Sequence, residues 1–470
     1  MPKTAKLKPV IEEISNPPGP FARFRSIKSR PYSFFLDSAC ASERLGRYSF
    51  LGCDPFLVFR AKGDSVELEW ESGRREELKA NPFLELRKLL NEYPAAAGPE
   101  GIPFTGGAVG YFSYDLKDLI EKLPNTAKDD LGLPDCLVGF YDSVAIYDNL
   151  TGRSFISSLG ISDKPSVLRD RIRKAAPAGR VSCGGLESNF SKSSYAAAVN
   201  AAKEYIRKGD IYQVNISQRF KARLSGDPLD LYARLRQYSP APFASFLNFN
   251  DTAILSSSPE RFLLKSGSYI ETRPIKGTRP RGGTSARDEA LEAELKNSAK
   301  DMAEHIMIVD LERNDLGRIC EYGSVRPTET AVVEKYANVF HLVSTVAGEL
   351  KYGVDAIDCL VAAFPGGSIT GAPKIRSMEI IDELEGVRRS AYTGTIGYIG
   401  FDGNMDTSIV IRTFIVKGKD IYLQVGGGIV ADSDPDEEYE ETLDKAAGAM
   451  QALGKNRDSD LFSCGLTTRK

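Results

Sequence analysis

Stretches of period two and stretches of period 3.6 follow one another along this chain without the regular strand–helix–strand alternation that a parallel sheet needs. From about residue 20 to 160 the pattern is one of short strands and turns. In RYSFLGCDPFLVFRAKGDSVELEW, Arg47 to Trp70, apolar and polar residues alternate around turn signals at Asp54-Pro55 and Gly63-Asp64. NPFLELRKLLNEY, from Asn81, is a helical interruption. After residue 190 the serines of SKSSYAAAVNAAKEYIRKGD and its closing Gly209 are helix start and stop signals. IYQVNISQRF then alternates, with Tyr212, Val214 and Ile216 on one face and Gln213, Asn215, Ser217 and Arg219 on the other, which predicts a strand with a solvent-facing polar side. Single strands are predicted at TAILSSSPERFLLKS, TGTIGYIGFDG, MDTSIVIRTFIVKG and DIYLQVGGGIVAD, and helices at SAKDMAEHIMIVDLERND and DPDEEYEETLDKAAGAMQAL. The expected fold class is α+β, with antiparallel sheets packed as a sandwich and flanked by helices.

A chain of 470 residues exceeds one ordinary domain. The stretch Lys174 to Phe190, rich in small residues, Gly and Pro, is the predicted linker. It separates a strand-rich region, 1–173, from a larger region, 191–455, with a tail at 456–470. Lys+Arg of 61 against Asp+Glu of 64 leaves a net charge of −3, so no global basic field recommends a nucleic-acid partner. The 7 cysteines are odd in number and widely spaced, with no C-x-x-C, which argues against a disulfide framework or structural zinc. MPKTAKLKPVIEEIS carries lysines but no apolar h-region, and no segment is apolar for long enough to span a bilayer. A cytoplasmic protein without membrane attachment is expected.

Several clusters carry potential chemistry. In IETRPIKGTRPRG, Lys276 sits among Arg273, Arg279 and Arg281, with Arg287 slightly further off. Either this is a basic loop facing solvent or an acidic ligand, or the like charges hold Lys276 partly neutral and make it a nucleophile. Asp301 and Glu304 are three residues apart on one predicted helix, as are Glu438 and Glu441 on another, so each pair shares a face. The pairs either complement helix dipoles or converge as all-oxygen ligands suited to Mg²⁺. FPGGSITGAPKIRSM has Gly366 and Gly371 at phosphate-loop separation, but Ala372 stands where the lysine must be, so the glycines and Pro373 predict a tight turn opening a helix whose free N–H groups can hold a carboxylate or other anion. Glycines within VGGGIV imply close backbone approach. The 2 histidines, His305 and His341, leave no H-E-x-x-H, and no G-x-S-x-G occurs.

Taken together, GDIYQVNISQRF, SSPERFL, RPIKGTRPRG, AEHIMIVDLERNDLGRI, FHLVSTVAGEL, FPGGSITGAPKIRSMEIIDELE, GTIGYI, SIVIRT and ETLDKA resemble the chorismate-utilising enzymes, which include anthranilate, aminodeoxychorismate, isochorismate and salicylate synthases. RYSFLGCDP and GGAVGYFSYDL extend the resemblance more weakly toward the N-terminus. Within that family anthranilate synthases carry PIAGT where this chain has PIKGT, and Gln213 stands where isochorismate-type enzymes place a water-activating lysine. The combination resembles component I of aminodeoxychorismate synthase, which aminates chorismate on the way to 4-aminobenzoate and folate. Anthranilate synthase component I and a non-catalytic chorismate-binding relative are the alternatives.

The resemblance implies that the Lys276 amine attacks chorismate, with Glu260 as the acid beside it and His341 as a further active-site residue. It implies Mg²⁺ on Glu304 and Glu441, with Asp301 and Glu438 reaching the ion directly or through water. Tyr398, Arg412 and Lys445, with the backbone of Gly427 and Gly428, are implied as the second carboxylate site, and Gly277, Thr278 and Ser368 as further substrate contacts. No glutaminase segment is present, so ammonia is expected from a separate glutamine amidotransferase subunit. Leu36 to Ala39 and Ser239 to Phe243 resemble the region where relatives hold tryptophan, which nominates Ser38, Pro240 and Phe243 as a pocket.

Overall fold

The computed structural model describes residues 6–15, 18–40, 45–99, 101–162, 168, 179–336 and 339–455. The predicted tail at 456–470 and the first part of the predicted linker lie outside them. Among the described residues the named strands form two sheets, of 13 and 12 strands, with every ladder antiparallel. The first sheet runs from Val10–Glu13 through Ser154–Ser158, Ser143–Asp148, Tyr48–Gly52, Phe34–Asp37, Phe243–Phe249, Thr252–Ser258, Thr413–Lys417 and Asp420–Ile429 to Gln213–Ser225. The second runs from Ile275–Pro280 through Val339–Glu349, Tyr269–Thr272, Arg261–Ser266, Met405–Ile409, Thr395–Gly400, Gly107–Phe112, Cys136–Tyr141 and Leu57–Lys62 to the hairpin Ser65–Trp70 and Arg75–Lys79.

Period-two alternation lets each strand present one apolar row to the other sheet. Phe34, Phe50, Ile146, Leu247, Ile254 and Ile415 from the first sheet meet Val109, Tyr111, Leu137, Ile396 and Tyr398 from the second in one buried cluster. Each such side chain, fully buried, contributes about 1.5–3 kcal/mol. Helices cover the outer faces: Lys374–Glu385 packs on Gln213–Ser225, and Pro435–Ala452 packs on Asp420–Ile429 and on the helices Lys192–Arg207 and Pro228–Tyr238. Their starts follow the sequence signals, with Ser191 in a capping box with Ser194 and Asn81 capping Pro82–Glu92.

Both sheets draw strands from either side of the predicted linker. Phe34–Asp37 pairs with Phe243–Phe249, and Gly107–Phe112 pairs with Thr395–Gly400. Residues 182–183 and 187–188, inside that stretch, themselves pair with Gln213–Ser225. The composition changes at 174–190 while the sheets run on across it. The polar face of Gln213–Ser225 is not solvent-facing as its alternation suggested: Gln213, Asn215, Ser217 and Arg219 are all buried, and Tyr212 is 73% exposed. For Ser217 and Arg219 the reason is that polar partners await that face. Ser217 donates to Glu385 Oε1 at 2.7 Å, and Arg219 pairs with Asp130 at 2.5 Å.

Candidate active site

Two of the predicted single strands each turn out to be a pair of strands that changes sheet. TAILSSSPERFLLKS divides into Thr252–Ser258 in the first sheet and Arg261–Ser266 in the second, with Pro259 and Glu260 at the crossing. MDTSIVIRTFIVKG divides into Met405–Ile409 and Thr413–Lys417, and the crossing residue Arg412 takes φ of 51°. The crossings are tied together by the Ile409 amide on Glu260 O at 3.1 Å and the Ser257 amide on Arg412 O at 3.2 Å. A long-range pairing of two chain breaks therefore brings an acid and a guanidinium into one recess.

Glu260 is buried and accepts from Ser368 Oγ at 2.6 Å. Burial pushes its carboxyl up to about 7, against the opposing pull of Ser368, the Ile275 amide, Lys276 and Arg412. At neutral pH it is poised between acid and carboxylate.

Lys276 lies on the edge strand Ile275–Pro280, whose register against Val339–Glu349 shifts between Lys276 and Thr278. Gly277 makes the shift with φ of 76°, and a Cβ there would lie 2.9 Å from Leu295 and 3.2 Å from Asp301 Oδ1. The Lys276 amine pairs with Glu304 Oε2 at 3.0 Å. The expected crowding by like charges is absent, because Arg273, Arg279 and Arg281 each have an acid of their own. Arg273 pairs with Glu334 at 2.5 Å, Arg279 with Glu294 and Asp301 at 2.7 and 2.9 Å, and Arg281 with Asp288. Local sequence lists the cations but not the carboxylates that distant elements bring to them.

Opposite Lys276 lies the strand Asp420–Ile429, whose glycines form a floor. A Cβ on Gly428 would fall 2.7 Å from Lys276 Nζ and 3.0 Å from Gln213 Nε2. One on Gly427 would fall 3.0 Å from Glu438 Oε2, 3.6 Å from Glu441 Oε1 and 3.8 Å from Lys445 Nζ. Lys445 also donates to Gly426 O at 3.0 Å and pairs with Glu441 at 2.6 Å, which holds the Glu441 carboxyl below its usual range. Burial moves Glu438 the other way; its Oε1 accepts from Ser433 at 2.6 Å, while Oε2 is buried without a partner.

Among the described residues no group of three His, Cys, Asp or Glu side chains stands ready to hold a metal ion. The donor chemistry nevertheless fits a hard divalent cation, since Glu438 and Glu441 border the floor at Gly427, Glu304 sits on Lys276 beside Gly428, and Glu438 Oε2 is an orphaned buried acceptor. Asp301 is turned aside by its pair with Arg279. On the far side of Thr278, burial and the Arg412 guanidinium push the pKa of His341 well below the usual range, leaving it neutral. Arg412 can only donate, so Nε2 accepts from it at 3.3 Å and Nδ1–H donates to Thr278 Oγ1 at 2.9 Å.

Residues 32–451 match the profile of chorismate binding enzymes. The chain belongs to that family. An aminodeoxychorismate synthase component 1 from Escherichia coli is 42% identical over 92% of this chain and 95% of its own. An anthranilate synthase component 1 from Acetivibrio thermocellus is 38% identical over 96% of both chains. The crystal structure of anthranilate synthase component I from Streptococcus pneumoniae superposes with a TM-score of 0.77 at 32% identity, covering 86% of this chain and 92% of that one. A menaquinone-specific isochorismate synthase from Escherichia coli shares the fold alone, with a TM-score of 0.71 at 17% identity over 96% of this chain and 95% of that one.

For a chorismate-binding enzyme, the structure brings together most of the residues nominated from sequence: Lys276, Gly277, Thr278, Glu260, Ser368, His341, Arg412, Gly427, Gly428, Glu304, Glu438, Glu441 and Lys445. Tyr398 is a correction. Alternation on Thr395–Gly400 turns its ring to the intersheet side, where it stacks on Phe104 at 4.3 Å and lines a separate cavity of about 290 Å³. Ser38 and Phe243 line that second cavity as well; Pro242 rather than Pro240 does so from the nominated loop. Sequence reasoning left Gln213 as a mere departure from relatives, whereas it is fully buried at the floor with both amide atoms unpartnered. It also missed Glu312, a buried acid on the inner face of Ala299–Gly317 in register with Glu304 and Ile308. An acid interrupting an apolar helical stripe was the available signal.

No helix among the described residues is long and apolar enough to cross a membrane.

Proposed function

We propose that this chain aminates chorismate at C4 with ammonia, yielding 4-amino-4-deoxychorismate, as component I of an aminodeoxychorismate synthase. The carrying observation is the Lys276 amine, set between Glu304 and the Gly428 floor at the position where the anthranilate branch has alanine. The 42% identical relative of that name supports the reading. Once it has given up its ammonium proton, the Lys276 nitrogen forms a bond to C2, the ring double bonds shift, and the C4–O bond breaks; Glu260 supplies the proton that lets hydroxide leave as water. Ammonia then bonds to C4, the double bonds shift back, and the C2–N bond breaks to free Lys276, with the surplus ammonia proton returning to the Glu260 carboxylate. The sum is chorismate plus ammonia to product plus water.

Arg412 and Lys445 supply positive charge for the substrate's carboxylates, and Ser368 keeps Glu260 aimed at the recess. Mg²⁺ on Glu304, Glu438 and Glu441, with Asp301 at the margin, would neutralise and orient a substrate carboxylate. Neutral His341, held by Arg412 and Thr278, orients that wall. A separate glutamine amidotransferase subunit would deliver the ammonia, and tryptophan is the ligand proposed for the second cavity. The six described cysteines are free, which fits the cytoplasm.

Relatives named anthranilate synthase component 1, at 38% and 39% identity, favour a second reading in which the product is anthranilate. Incubating the protein with chorismate, ammonia and Mg²⁺ separates them: the first reading yields an aminated ring retaining its enolpyruvyl group, the second yields anthranilate and pyruvate. Lys276→Ala is expected to abolish C4 amination and the trappable lysine adduct. Unchanged amination by that variant would falsify the nucleophile role.

A further inference from the structure

The turn that carries Ser368 is held from behind. Gly367–Ile369 is a single 3-10 turn. Its first amide, Gly367 N, donates to Glu312 Oε1 at 3.1 Å, and the next residue, Ser368, donates from Oγ to Glu260 Oε1 at 2.6 Å. The approach is close: a Cβ on Gly367 would lie 2.7 Å from Leu311 and 3.2 Å from Glu312 Oε1. Glu312 is 3% exposed, and its other oxygen meets Thr272 Oγ1 at 3.3 Å. Two buried carboxyls thus bracket one turn, one facing the recess and one facing the core. Burying a second acid is costly, and a core with no use for its acceptor would be better filled by an apolar side chain.

We propose that Glu312 is a positioning residue for the amination: through the Gly367 amide it fixes the turn from which Ser368 aims and polarises the Glu260 carboxyl. The inference rests on the acid role given to Glu260 above. The groups facing Glu312 are Asp315 on its own helix, Lys374 at the start of Lys374–Glu385, and Glu260 at the sheet crossing. Lys374 is committed to Asp315 at 2.6 Å and to Ala363 O at 2.9 Å. Burial, reinforced by Asp315 and opposed by Lys374, raises the Glu312 carboxyl, and ionisation of Glu260 raises it further. Glu260 in turn faces Lys276 and Arg412. Glu312 therefore acts on Glu260 while uncharged, as an acceptor for Gly367, and a glutamine can do the same.

The test compares Glu312→Gln, which keeps an acceptor for Gly367, with Glu312→Leu, which removes it, at saturating chorismate and constant free ammonia across pH. Glu312→Leu is expected to lower kcat by about tenfold with little change in KM for chorismate. It should also move the alkaline limb of kcat to higher pH, because the Ser368 bond that favours the Glu260 carboxylate is loosened. Glu312→Gln should restore both. In a Ser368→Ala background Glu312→Leu should cost nothing further, since the route runs through Ser368. If the leucine variant does not fold, Glu312→Asp, too short to span to Gly367, carries the same expectation. An unmoved alkaline limb, a failing glutamine variant, or additive losses in the Ser368→Ala background would each overturn the positioning role. Glu260→Gln is measured alongside: if it turns over normally, the acid assignment itself fails, and the positioning role falls with it for that separate reason.

Discussion

A carboxyl sealed from water carries a cost that depends on pH, and Glu260 makes that cost measurable. Its folded value of about 7 stands above the ordinary 4.5. Between those values the folded state binds more protons than the unfolded one. The contribution is therefore fully present below 4.5 and is lost as pH rises through 7. The difference amounts to about 3 kcal/mol at most. Glu260→Gln, which has no proton to lose, is expected to be more stable than the parent at pH 8 and to lose that advantage by about pH 4.5. Denaturant unfolding of both proteins at the two pH values checks this, and a pH-independent gap would refute the burial argument. Ionised Glu260 also raises the Glu312 carboxyl, so the glutamine variant relieves that repulsion too, which adds to its advantage at pH 8. Lys276, Glu260, Glu304 and Glu441 were legible as residues because the motifs around them are contiguous. The ion pairs that quiet Arg273, Arg279 and Arg281 were not, since Glu334, Glu294 and Asp288 come from other elements.

At the scale of elements, the glycine floor and the acid-bearing helices define the recess. Gly428→Ala would place a methyl 2.7 Å from Lys276 Nζ and 3.0 Å from Gln213 Nε2, atoms at the far ends of flexible side chains. Those ends can swing away, so the fold should survive with a melting temperature close to that of the parent while turnover drops by about tenfold or more. A melting temperature lowered in step with activity would mean that the floor is structural instead. On Pro435–Ala452, Glu441→Gln removes a charge that borders the floor and pairs with Lys445. Calorimetry in the absence of turnover should then show weaker Mg²⁺ binding, and unchanged binding would remove Glu441 from the ligand set. Helices and their caps followed directly from the sequence, as at Ser191 and Asn81. The strands at 252–266 and 405–418 read as single runs because their alternation continues through the crossing, and which sheet each half joins depends on partners elsewhere in the chain.

For the whole molecule, shared sheets make the two halves interdependent. A fragment starting at residue 179 would leave Phe243–Phe249 without Phe34–Asp37, and Thr395–Gly400 without Gly107–Phe112. Two unpaired edges and half of an intersheet core would face water. Such a fragment is expected to be insoluble, and co-expression with residues 1–178 should recover soluble complex; a soluble, cooperatively melting fragment alone would contradict the shared core. The intact chain is expected to use ammonia readily and glutamine hardly at all until an amidotransferase subunit is added, and strong glutamine turnover by the chain alone would defeat the subunit reading. The sequence by itself determined the periodicities, the caps, the α+β class and the contiguous motifs that assign the family, because each is encoded within a dozen residues. Tertiary structure alone decided that Glu260 and Arg412 meet at two sheet crossings, that Gln213 and Glu312 are buried, and that Tyr398 serves another cavity. A side chain's face and partners are set by the pairing of strands far apart in the chain, which local patterning leaves open.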